Sequence, residues 1–259
     1  MINLMLGDCL ERMNEIEGGS VDMILTDPPY GTTACKWDSI IPLESMWEQL
    51  KRIIKPNGAI VITASQPFTS VLIMSNLKGF RYCMVWDKVI HSNPLIAKIQ
   101  PLTTHEDIVV FYKKKPTYNP QMKQGKEIKR GGKDKGSSET KGETNMTNRS
   151  KDSTTARYPN KIIKLSNADK TNIVHPTQKP VALMEYLIKT YTNDGDTVLD
   201  FTMGSGSTGV AAKNLNRSFI GIEMDEGYFN IAKDRINKAG CQCKKGSSDC
   251  GYCQSKSVN

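Results

Sequence analysis

The stretch Thr197-Val198-Leu199-Asp200-Phe201-Thr202-Met203-Gly204-Ser205-Gly206-Ser207-Thr208-Gly209 decides how this chain is read. Its first four residues form a short apolar run ending in an acid, which reads as a buried strand. Three glycines follow at the spacing G-x-G-x-x-G, and a helical pattern begins near Thr208. The glycines allow a ligand to approach the backbone closely, and the helix start beyond them offers free N–H groups. Glu223 ends the next strand, 19 residues after Gly204, where its carboxylate can accept both hydroxyls of a ribose. These marks fit any adenosine-bearing cofactor, NAD included, and they also fit a tight strand-to-helix turn.

Outward from that turn, strand-like and helix-like segments alternate along most of the chain, the pattern of a mainly parallel sheet covered by helices. Strands are expected at residues 2–6, 21–25, 59–64, 82–86, 108–112, 197–200 and 219–222. Helices are expected at residues 10–16, 43–54, 67–77, 181–191, 208–215 and 228–239. The second strand, Val21-Asp22-Met23-Ile24-Leu25, runs almost directly into Asp27-Pro28-Pro29-Tyr30. Neither proline has an N–H, and each restricts the residue before it, so this segment leaves its strand extended with carbonyls free to face a ligand. A carboxylate, rigid carbonyls and an aromatic face suit the holding of a planar exocyclic amine. The Asp27 carboxylate and the Pro28 carbonyl would take its two hydrogens, and Tyr30 would stack on the ring. Asp-Pro and Pro-Pro are also common turn dipeptides.

At 259 residues the chain can bury one substantial core with an inserted subdomain. Hydrophobic residues make up 38% and charged residues 24%, an ordinary globular composition with a polar excess. No apolar run is long enough to span a membrane, and the start lacks the order of a signal peptide, so a cytoplasmic protein is expected. The net charge of +8 is concentrated. Residues 113–170 hold 16 basic and 6 acidic side chains, a net of +10, which leaves −2 for the rest. That stretch is rich in Lys, Gly, Ser, Thr and Asn. It reads as a basic insertion that orders on a nucleic acid, or as a solvated linker.

Taken together, Asp27-Pro28-Pro29-Tyr30 after an early strand, a basic insertion, His175-Pro176-Thr177-Gln178-Lys179-Pro180 and the later glycine turn resemble the DNA amino-methyltransferases. The order, with the tetrapeptide ahead of the glycine turn, is similar to their permuted beta class. The resemblance covers residues 1–112 and 171–240. It implies a Rossmann-like α/β fold, with a mixed, mainly parallel sheet and helices on both faces, S-adenosylmethionine as methyl donor and double-stranded DNA as partner. Catalysis would rest on Asp27, Pro28, Pro29 and Tyr30, acting on a base flipped out of the duplex. Asp8 and Cys9 would lie near the cofactor adenine, and Glu223 on its ribose. Asp200, Gly204, Ser205, Gly206 and Thr208 would contact the cofactor from the turn. His175, Thr177, Gln178 and Lys179 would lie near its methionine end, with Lys179 offsetting a carboxylate. The family's commoner form has Pro then Phe after the turn's aspartate. Here Phe201-Thr202 stands there, so Phe201 is given no cofactor role.

Within that family, aspartate at the first position of the tetrapeptide goes mainly with adenine N6, and serine with cytosine N4. Asp27 therefore favours adenine. Transfer would be direct and in line, with no cysteine nucleophile. Cytosine-N4 methylation is the enzyme alternative, and a non-catalytic DNA-binding protein is the alternative of another class. The domain reading is a catalytic first part at 1–112, the target-recognition insertion at 113–170, a catalytic second part at 171–240 and a cysteine-rich tail at 241–259. In that tail Cys241, Cys243, Cys250 and Cys253 have the density of a zinc knuckle, with disulfides or an unstructured tail as rival readings. A homodimer and an accompanying restriction endonuclease are left open.

Overall fold

The computed structural model describes residues 1–32, 38–92, 94–125, 155–167 and 178–240. In chain order the elements are β1 (Ile2–Leu6), α1 (Cys9–Met13), β2 (Val21–Thr26), α2 (Leu43–Ile53), β3 (Ile54–Ala64), α3 (Phe68–Ser75), β4 (Phe80–Ser92), β5 (Thr103–Phe111), β6 (Lys123–Gln124), β7 (Ala156–Arg157), β8 (Ile162–Lys164), α4 (Val181–Tyr191), β9 (Thr197–Asp200), α5 (Ser207–Asn214), β10 (Ser218–Glu223) and α6 (Glu226–Lys238). Two compact units result. One combines Met1–Asn119 with the described residues from Lys161 onward, and the other is Pro120–Asn160. In the second unit β6 and β7 form a short antiparallel ribbon, with Lys123 opposite Arg157.

The first unit is built on an eight-stranded sheet in the order β1-β10-β9-β2-β3-β5-β4-β8. β5 runs antiparallel to both of its neighbours, and every other pairing is parallel. This is the expected Rossmann-like mixed sheet. Strands covered on both faces are apolar at successive positions. In β2, Met23 and Leu25 pack toward α4, α5 and α6, while Ile24 packs toward α2 and α3. Helix α2 follows the same logic, burying Met46, Trp47, Leu50 and Ile53 along one stripe.

β9 leads through α5 to β10 on one side, and β2 leads through α2 to β3 on the other. β9 and β2 are themselves neighbours. The connections therefore diverge between them, and in open α/β sheets such a divergence leaves a crevice outside the carboxyl ends of the two strands. The glycine turn follows β9 and the Asp27 tetrapeptide follows β2, so one crevice receives both.

Strands β3, β4 and β5 and the stretch 113–170 differ from expectation. β3 starts at Ile54 rather than at residue 59, because its pairing passes from Val21 opposite Ile54 to Met23 opposite Ala59. Pro56, Asn57 and Gly58 are accommodated in that irregularity, and a Cβ on Gly58 would come within 2.7 Å of the Asp22 carbonyl. β4 extends past Trp86 to Ser92, pairing with the polar start of β5. The stretch 113–170, read as one insertion, is divided. Its residues 162–164 form β8 beside β4, with Ile163 in the core and the Trp86 indole N–H donating to the Leu165 carbonyl at 2.9 Å. Among the described residues no helix is long and apolar enough to cross a membrane.

Gly206 ties the cofactor-like turn to this packing. It has φ +81°, and a Cβ there would lie 2.9 Å from the Ala232 Cβ on α6. Replacing Gly206 with Ala adds left-handed strain to overpacking, so urea unfolding should show a loss of about 2–4 kcal/mol.

Candidate active site

The crevice is a cavity of about 900 Å³ whose walls include Asp8, Cys9, Asp27 to Tyr30, Gln178, Lys179, Asp200 to Ser205, Ser207, Thr208 and Glu223. His175 and Thr177 lie outside the described residues, as do the four tail cysteines. Among the described residues no cluster of three or more His, Cys, Asp or Glu side chains is placed to hold a metal.

On the β2 side, the Asp27 carboxylate is surrounded by donors. The Tyr30 hydroxyl donates to Oδ1 at 2.6 Å, and the Thr63 hydroxyl donates to the same oxygen. Lys179 Nζ donates to Oδ2 at 2.6 Å. Lys179 is thus held by two carboxylates of the protein itself, since Glu106 Oε2 lies 3.2 Å from the same ammonium. Glu106 Oε1 in turn accepts from Lys88 Nζ at 3.1 Å. The result is a chain of alternating charges, Lys88, Glu106, Lys179 and Asp27, from β4 and β5 to the tetrapeptide. Burial pushes the Lys179 ammonium down, but the Asp27 and Glu106 charges outweigh it and hold it above the ordinary lysine value. Removing one member of such a set strands a buried charge, a loss of about 3–5 kcal/mol in comparable cases.

Tyr30 stacks on Phe68 with centroids 5.3 Å apart and an interplanar angle of 21°. Burial, then the charges of Asp27 and Glu106, push its phenol well above the ordinary value, so it stays protonated as a donor. The backbone beyond Tyr30 is pinned by Asp38, a residue that sequence reasoning missed. Its carboxylate accepts N–H groups from Tyr30, Gly31 and Thr32 at 2.8, 2.9 and 2.9 Å.

On the β9 side, the turn forms a cradle. A Cβ placed on Gly204 would meet nothing within 4 Å. Among the described residues, helix α5 has no side-chain cap at its N-terminus, and the buried Ser207 Oγ has no hydrogen-bond partner. Helix N-termini left open in this way favour anionic or polar ligand groups. Glu223 Oε2 accepts the Gly204 N–H at 2.8 Å and Oε1 accepts the Asp225 N–H at 2.9 Å. Each oxygen keeps a lone pair for a ligand hydroxyl. Ser205 is fixed from outside, its hydroxyl donating to Gln178 Oε1 at 3.2 Å and accepting from Arg235 at 2.8 Å. Asp8 caps α1 through the Leu10 N–H at 2.8 Å. Burial first, and the Asp8 charge second, push the Cys9 thiol up to about 12. Burial likewise raises Cys83, so neither described thiol is a ready nucleophile. Phe201 is a core residue, 1% exposed.

Asp200 joins the two sides. The Thr26 hydroxyl donates to its Oδ1 at 2.8 Å and lies 2.6 Å from the Thr202 hydroxyl. Burial pushes the Asp200 carboxyl from 3.8 up to about 7, against the lowering effect of its hydrogen bonds from Thr208, Thr26 and Thr202.

Known proteins resemble this chain in sequence and fold. The DNA methylase family's sequence profile matches residues 21–234. The chain is 29% identical over 256 residues to the type II methyltransferase M.HpaI of Haemophilus parainfluenzae, covering 90% of this chain and 74% of that one. It is 29% identical over 260 residues to the type II methyltransferase M2.LlaDCHI of Lactococcus lactis subsp. cremoris, covering 91% and 89%. Among solved structures, the M1.HpyAVI–SAM complex matches with TM-score 0.64 and 30% identity over 92% of this chain and 100% of that one. The PvuII DNA methyltransferase (cytosine-N4-specific) has TM-score 0.67 at 17% identity over 91% and 86%, a likeness of fold.

The Asp200 shift has a testable sign. A raised carboxyl favours the native state below its unfolded value and loses that contribution as pH rises toward about 7. Asp200→Asn keeps an acceptor without the charge. Urea unfolding should show this variant gaining stability relative to the parent between pH 5 and pH 7, with no further gain above that window.

Proposed function

This chain belongs to the DNA methylase family, and from that premise we propose that it transfers a methyl group from S-adenosylmethionine to the N6 amine of adenine in double-stranded DNA. The observation that carries the proposal is the Asp27 carboxylate, held by three donors at the end of β2 and opening into the same cavity as the glycine cradle. The residues of the cradle fit the cofactor. Glu223 would take the ribose hydroxyls, while Ser207 Oγ and the open N-terminus of α5 would meet its polar groups. When bound, S-adenosylmethionine supplies a methyl group on a positively charged sulfur that keeps the bonding pair as the methyl leaves.

The chain's own residues do the rest. Asp27 accepts a hydrogen of the target amine and the Pro28 carbonyl a second, which directs the nitrogen lone pair toward the cradle. Thr63 and Tyr30 fix the carboxylate's orientation, and Asp27 receives the proton that the methylated nitrogen sheds. Tyr30, backed by Phe68, offers a face to the flipped base. The basic residues of 113–170 supply phosphate contacts, and the bases are read from the same region. Adenine rather than cytosine is favoured by Asp27 at the head of the tetrapeptide.

Expressing the chain in methylation-free cells and analysing the nucleosides of their DNA by mass spectrometry tests this reading. N6-methyladenine is expected, and Asp27→Ala should remove it while the variant still gains melting temperature from S-adenosylmethionine. N4-methylcytosine with unmodified adenine would replace the base assignment. Absence of any methylated nucleoside from cells holding folded protein would sink the reading altogether.

A further inference from the structure

Asp27 has little room for a new hydrogen. A carboxylate oxygen has about two acceptor sites, and Oδ1 already accepts from Tyr30 and Thr63 while Oδ2 accepts from Lys179. An arriving amine must therefore use Oδ2, beside or in place of the ammonium. Lys179 is 9% exposed in its side chain, and moving it off Asp27 without a second counter-charge would leave a buried cation unpaired. The structure supplies that counter-charge. Glu106 Oε2 is buried, takes no hydrogen bond from any other described group and already lies 3.2 Å from Lys179 Nζ. Its other oxygen is tethered by Lys88, and its backbone is paired with Trp86 across β4 and β5.

We infer that Glu106 is a positioning residue for methyl transfer: it keeps Lys179 beside Asp27 and receives the ammonium when the target amine takes its place on Oδ2. The inference rests on the function proposed above. A short displacement from one carboxylate to the next keeps the set of four charges neutral, so the amine is admitted without exposing any of them. Among the described residues, the groups facing Lys179 are Asp27 and Tyr30 from the segment after β2, Glu106 from β5 and, behind it, Lys88 from β4. Glu106 contributes to holding Lys179 protonated, so its neutral replacement should make the amine easier to deprotonate.

The test compares E106Q, K179M and the double variant with the parent, each confirmed as folded by its melting transition. Single-turnover methyl transfer with saturating S-adenosylmethionine and DNA reads the positioning. Acetylation of Lys179 by acetic anhydride as a function of pH, followed by mass spectrometry without DNA or cofactor, reads the ion pair. E106Q should slow transfer about 10- to 100-fold, the order that a misplaced reacting group costs. It should also move the acetylation curve to lower pH, and should cost nothing more once Lys179 is already Met. Should E106Q not fold, K88M frees Glu106 Oε1 and is expected to slow transfer in the same direction. A parent that transfers methyl together with an E106Q variant that keeps its rate, or whose loss simply adds to that of K179M, overturns this inference alone. A parent that transfers no methyl overturns the proposed function, and this inference with it.

Discussion

A partly buried carboxylate at the divergence of the sheet is the constraint around which the rest of this site is built. Asp27 cannot sit there as a bare charge, because removing an ion from water is costly unless hydrogen bonds and counter-charges replace the lost solvent. Tyr30 supplies one donor from three residues away, Thr63 supplies another from the end of β3, and Lys179 supplies charge from just before α4. Lys179 then needs its own compensation, which Glu106 and Lys88 extend into β5 and β4. One requirement thus recruits five elements.

The cofactor-like side is made by a different means. There the backbone does the work, and close packing makes the backbone possible. Gly206 and Gly209 let α5 lie against α6, where any side chain would strike Ala232, Ile236 or Phe219. Glu223 and Arg235 then hold the turn from its two flanks. Thr26 and Asp200 connect the halves by a bond between adjacent strands, one residue from Asp27 and at the root of the turn. A shift in the turn is thereby coupled mechanically to the base of the tetrapeptide.

Some parts of this were legible in residue order and some were not. Helix α4 and strand β9 begin and end where periodicity and the glycine turn put them, because strong local patterns bounded by turn residues need no distant partner to be read. The tetrapeptide and the cradle were equally visible. β8 was hidden because Ile162-Ile163-Lys164, in a low-complexity stretch, is too short to show a period, and its pairing with β4 is what makes it a strand. Glu106 stands in a polar run, Thr103-Thr104-His105-Glu106-Asp107, that looks like the frayed start of a strand. Asp38 looks like any loop acid until three amides are seen to converge on it.

By itself the sequence determined the class of fold, the two chemical halves of the site and the family, since each rests on local spacing: glycines for close approach, prolines for an extended exit, and alternating elements for a parallel sheet. The tertiary structure decided which charges meet. Lys179 and Asp27 are separated by 152 residues, and the fold brings Lys179 against both Asp27 and Glu106. The reason is the range of the forces. Backbone preferences act within a few residues, whereas a buried charge is neutralised by whatever the folded chain brings within a few ångströms.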